Sequence, residues 1–153
     1  MNSKEILIAQ LQACHDQDTW FVSLQSALRG LTEEQAFAKT NISANSIREI
    51  VNHLIYYNQR YLNRFNGISN PRGLESNDFT FTKNDDRSWQ STVEMIDHIM
   101  SEWIISVKES QEDRLQQWVS DLTHLTIHTT YHIGQIVHIR KEQGSWNPSY
   151  GVH

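Results

Sequence analysis

Apolar residues recur at helical spacing in four stretches of the chain. Leu7, Leu11, Cys14, Phe21, Leu24 and Leu28 fall on one face, which predicts a first helix over about 4–29 with Gly30 as its stop. "SIREIVNHLIYYNQRYLNRF" predicts a second helix over 46–65, opened by a Ser-x-x-Glu capping box and closed before Asn66-Gly67. Val93, Ile96, Ile99, Met100, Trp103 and Val107 form the stripe of a third, over 90–110, and "STVE" offers it a capping box. A fourth is expected over 121–143, capped by Ser120, with Arg140 and Lys141 suiting its negative end before Gly144. These segments are far longer than ordinary strands. The expected fold is all-α, a four-helix bundle in one domain over 1–153. Its long connection, 66–87, lies between helices two and three, and a short extended piece is expected in "NDFTFTKNDDRS".

Composition narrows the class. The chain has 153 residues, 38% hydrophobic and 20% charged, which is the balance of a soluble globular domain. A formal charge of −5 argues against nucleic acid and against anionic membrane surfaces, both of which call for a basic footprint. No apolar run approaches membrane length. Cys14 is the one cysteine, so neither an intrachain disulfide nor a thiolate zinc cage can form, and burial in the core suits it better than a nucleophile's role. The polar-broken N-terminus does not read as a signal peptide, and the expected location is cytoplasmic.

The chemistry concentrates in "HLTIHTTYHIGQIVHIR". Each residue turns a helix by about 100°, so His128 and His132 lie one turn apart on the core-facing stripe, within about 40° of one another. His124 falls at its edge, and His138 points outward. Histidines at i and i+4 can share one metal ion, although an inward histidine is more often an ordinary core residue. His53, on the margin of the second helix's buried stripe, is the best third donor. His98 has no clear face, His15 reads as solvated or supporting, and His153 is discounted.

A histidine midway along the second helix, followed by H-x-x-x-H-x-G-Q-I in the fourth, resembles the DinB-like (damage-inducible) superfamily, which includes YfiT-like metal-dependent hydrolases. "GLTEEQAF" before the second helix is similar to that family's lead-in. The resemblance implies a metal-binding helical bundle, a homodimer, and one divalent transition metal, zinc or nickel, on His53, His128 and His132. It implies a hydrolase or a thiol-dependent transferase acting on a small molecule.

The residues agree as far as they go. Three neutral imidazoles leave a metal site open, the pattern of catalysis rather than of a closed structural centre. Such an ion would activate a water for cleavage of an amide or ester, or a thiol for transfer to an electrophile. "HTTYH" lacks the glutamate of an H-E-x-x-H protease helix. Tyr57, Tyr61, His124 and Asp97 are candidates to assist, and Gln135 to hydrogen-bond a ligand ring. The rival readings are a metal-binding module without catalysis and a bundle acting only through protein partners. An accessible pocket beside the metal favours the enzyme, and a sealed site favours the module.

Two further features need a reason. A glycine inside a helix costs about 1 kcal/mol against alanine, so Gly134 predicts close packing behind the histidine face, against helix one or a second copy. Trp118 and Trp146 flank the fourth helix and are expected to wall a pocket, while the tail "GSWNPSYGVH" is expected to fold back on a bundle end or meet a partner.

Overall fold

The computed structural model describes residues 1–83 and 86–150. The described residues form seven helices and no strand, and their one β-bridge joins Thr40 to Ser43. Four helices are long: α1 (Ser3–His15), α4 (Ile47–Phe65), α6 (Trp89–Glu109) and α7 (Glu112–Glu142). Three are short: α2 (Leu24–Leu28), α3 (Glu33–Phe37) and α5 (Phe79–Thr82). α1 packs against α6 and α7, and α4 packs against the same two helices. Their shared core is built from Leu7, Leu11, Leu54, Ile96, Trp103, Leu122 and Ile136, all nearly inaccessible to solvent.

The second predicted helix forms as expected. The Ser46 hydroxyl oxygen accepts from the Glu49 amide, and the Glu49 carboxylate accepts in turn from the Ser46 amide. The other three differ from expectation for identifiable reasons. The first breaks after His15, because Asp18 folds back: its carboxylate accepts from the Ser23 amide and from the hydroxyls of Ser23 and Ser26. Ser23 then caps a separate α2. "TEEQ" forms its own capping box and yields α3, which the apolar pattern is too short to announce. α6 is capped by Ser88, and Ser91 of "STVE" donates to that cap. α7 begins nine positions before the expected start. Leu115, Trp118, Leu122 and Leu125 continue its buried stripe unbroken, and Ser120 stands on its exposed side.

The connection holds a helical turn, α5, where an extended piece was expected. Asn77 and Asp78 accept the first backbone bonds of that turn, from Thr80 and Phe81. Residues 84 and 85 of the same stretch lie outside the described residues, as does His153.

Of the two contacts expected behind Gly134, the one with helix one is not made. A Cβ placed there meets no described atom within 4 Å, so no intrachain helix contact accounts for the glycine. The described part of the tail, residues 144–150, does fold back. Arg140 lies over Trp146, and Arg29 lies over Tyr150. Arg140 itself is buried, donating to the carbonyls of Ala27, Arg29 and Ser145. It therefore serves the carbonyl end of α2 and the tail as well as the end of α7. Neither Trp118 nor Trp146 walls the histidine pocket. Trp118 is inside α7, edge-on to Phe65 and Tyr61, and Trp146 is taken up by Arg140.

Candidate metal centre

α4 and α7 lie side by side and point three imidazoles at one spot. His53 Nε2 is 3.1 Å from His128 Nε2, which is 3.0 Å from His132 Nε2. His53 and His132 are buried, and His128 is half-buried. These are the three histidines that the sequence singles out, and among the described residues they form the one cluster of potential ligands.

The outward nitrogens of two rings are occupied. His132 Nδ1 faces Gln135 Oε1 at 2.7 Å, and the Gln135 amide donates in turn to the Tyr131 hydroxyl. His53 Nδ1 lies 2.6 Å from Thr80 Oγ1, and Phe81 stacks flat on the His53 ring with centroids 4.1 Å apart. Gln135 thus makes a hydrogen bond to the His132 ring. Nothing in the apolar pattern of the sequence points to Thr80 or Phe81. They sit in the irregular connection, where no period marks which side chain faces inward.

The environment keeps the rings neutral. Burial first, then the neighbouring rings of His132 and His128, pushes His53 down to about 3. Burial and then His132 hold His128 below the ordinary imidazole value. Burial lowers His132 too, against an opposing pull from Gln135. Neutral rings present lone pairs, the form that a metal requires.

The donor set fits a divalent transition metal. Tetrahedral nitrogen donors about 2.0–2.1 Å from zinc lie about 3.3 Å apart, a few tenths of an ångström wider than the His53–His128 and His128–His132 separations of 3.1 and 3.0 Å. The cluster opens into a pocket of about 500 Å³ lined by Tyr57, Tyr61, Phe81, Leu125 and Tyr131. His124 and Asp121 complete its rim.

The assisting candidates separate clearly. Tyr57 meets the His53 and His128 rings edge-on and donates its hydroxyl to Asn77 Oδ1. Burial raises its pKa, which favours the phenol. Tyr61 and His124 line the pocket farther out. Asp97 belongs elsewhere: it pairs at 2.7 Å with His15 Nε2, and both line a different cavity between α1, α2 and α6. His15 is therefore buried and paired rather than solvated. His98 and His138 are exposed, and Cys14 is buried with its thiol pKa raised by that burial.

Fold and site together define an all-helical protein whose three converging imidazoles face an accessible pocket. The chain belongs to the DinB superfamily, whose family model matches residues 18–136, a span that holds all three histidines. No curated protein and no solved structure matches the chain. No helix among the described residues is long and apolar enough to cross a membrane.

Proposed function

We propose that this protein is a metal-dependent enzyme acting on a small organic molecule, with zinc or nickel held by His53, His128 and His132. The observation that carries the reading is the convergence of three Nε2 atoms on the floor of an open pocket. A module that only stores or senses metal has no use for such a pocket. A divalent ion bound there supplies Lewis acidity and lowers the pKa of a water or thiol that joins it.

Of hydrolysis and thiol transfer, thiol transfer suits the site better. Hydrolysis is helped by a base beside the centre, and the polar groups in contact with the three rings are committed: Tyr57 to Asn77, Thr80 to His53 and Asn77, Gln135 to His132 and Tyr131, which leaves His124, a turn before His128 on the pocket lining, as the ring that hydrolysis would have to use. Asp121 is the one carboxylate among the described lining residues, and it stands seven positions before His128, about 10 Å along the helix. The aromatic walls suit a substrate with an apolar body. Among the described residues no lysine or arginine lines the pocket to hold phosphates, which fits a small-molecule substrate rather than a nucleic acid.

A four-helix bundle and a homodimer belong to this proposal. The ring of contacts joining α1, α6, α4 and α7 supports the first. The exposed Ile127 and Tyr131 on α7 support the second, which sedimentation equilibrium tests. Elemental analysis of untagged protein should find about one transition metal per chain, lost in His128→Ala. The loaded enzyme should then consume a low-molecular-weight thiol in the presence of an alkyl halide. Failure of wild-type protein to take up zinc or nickel would sink the metalloenzyme. Uptake with ester cleavage and no thiol consumption would reverse the choice of reaction.

A further inference from the structure

The Thr80 hydroxyl has a single proton to give. The Asn77 carbonyl oxygen, 2.6 Å away, can only accept, so that proton is committed to it. Thr80 Oγ1 then faces His53 Nδ1 with lone pairs alone. The neutral ring's proton must sit on Nδ1, and Nε2 is left bare at the centre. Histidine in water favours the opposite tautomer, so the bond to Thr80 does work that solvent would undo. The Gln135 contact lacks this force. A side-chain amide can turn over and offer His132 either an acceptor or a donor, whereas a backbone carbonyl has no second role.

Thr80 is itself held by the chain around it. α5 has four residues and no side-chain cap, too few to stand alone. α4 carries it: Asn52 donates to the Phe81 carbonyl, Phe81 stacks on His53, and Tyr57 donates to Asn77. We infer that Thr80 is a positioning residue for the metal, relaying the His53 ring to the Asn77 carbonyl and coupling metal affinity to the docking of residues 77–82 on α4. This rests on the metal reading above.

The test separates hydroxyl from shape. Zinc affinity of the full chain is measured by competition with a chromophoric chelator for wild type, Thr80→Val, Thr80→Ser and Thr80→Ala. Loss of a hydrogen-bond partner of a metal-binding histidine typically weakens affinity about 10- to 100-fold. Valine and alanine should show that loss, and serine should stay close to wild type. Should the valine variant not fold, serine against alanine carries the same contrast, since they differ by one hydroxyl. Nitrogen chemical shifts of His53 in the zinc-free protein give a second readout: the proton should sit on Nδ1 in wild type and in the serine variant, and should leave it in the alanine variant. Zinc should also slow amide exchange across 77–83 in wild type more than in the alanine variant. Equal zinc affinity with and without the hydroxyl would overturn the role of Thr80 while leaving the metal centre standing. Wild-type protein that binds no zinc would overturn both.

Discussion

His132 Nδ1 faces Gln135 Oε1 at 2.7 Å while the same ring turns Nε2 to His128 Nε2 at 3.0 Å. One side chain, three residues on, thus orients a ring whose far nitrogen serves the centre. With the amide oxygen turned to the ring, a hydrogen bond of this kind raises the basicity of a ligand. Gln135→Leu should therefore weaken zinc binding about tenfold without unfolding the chain, because Gln135 is only partly buried. Gln135→Glu, which offers a stronger acceptor, should bind at least as tightly as wild type. Isothermal titration of the two variants checks the pair, and equal losses in both would contradict the argument.

The centre is built at some expense to the empty fold. The Nε2 atoms of three rings crowd together, and a neutral His128 ring has at most one proton to share with its two neighbours. His128→Leu should leave the zinc-free protein at least as stable as wild type, since an apolar side chain replaces a ring in a strained cluster. It should also abolish the rise in melting temperature that zinc gives wild type. Differential scanning calorimetry with zinc and with chelator measures both halves. A variant still stabilised by zinc would mean that His128 is no ligand.

The parts of this design that were legible in the sequence share a cause. His128 and His132 sit inside a strongly periodic segment, so a helical wheel places them inward, and the same holds for His53 on α4. Segment ends were less legible, because several polar residues compete to be caps. Ser120 has the chemistry of a helix start, yet the stripe of Leu115, Trp118 and Leu122 runs past it and wins. Asp18 breaks the first helix through three hydrogen bonds to serines, an event that no apolar period records. Thr80 was invisible for a related reason: its role depends on how the connection lies across α4.

The depressed pKa values give the zinc-free protein a definite pH dependence. An unfolded histidine titrates near 6.5, whereas His53 in the fold titrates at about 3, and His128 and His132 move the same way. Between those values the unfolded chain binds more protons than the native one, so stability rises with pH. The contribution is complete above about pH 6.5 and is lost progressively as pH falls toward about 3. Urea midpoints of chelator-treated protein at about pH 7 and about pH 4.5 should differ more for wild type than for His53→Leu, which lacks one of the rings. Identical pH slopes would remove the case for a buried neutral His53.

Arg140 is a buried cation whose hydrogen bonds, among the described residues, include no carboxylate. It donates to the carbonyls of Ala27, Arg29 and Ser145 and to the Ser145 hydroxyl. Burial lowers its pKa, but guanidinium holds its proton regardless. Arg140→Met should cost roughly 3 kcal/mol, since it leaves several buried carbonyls without a donor. The damage should fall on α2 and the tail, far from the histidines. Zinc affinity should change little, and Trp146 fluorescence should shift as its ring loses the guanidinium above it. A large loss of zinc affinity at unchanged stability would show that the two regions are coupled.

Gly134 is the remaining anomaly. It lies in the interior of α7, one turn beyond Thr130, where alanine would be the better helix former by about 1 kcal/mol. A methyl group there meets no described atom within 4 Å, so the fold of the single chain does not require glycine. Gly134→Ala should therefore raise stability by about 1 kcal/mol, or roughly 2–4 °C in melting temperature, with zinc affinity unchanged. Thermal melts over a range of protein concentrations check this. Stability that falls instead, with a concentration dependence differing from wild type, would mean that a second copy meets α7 at this position and that the glycine serves that contact.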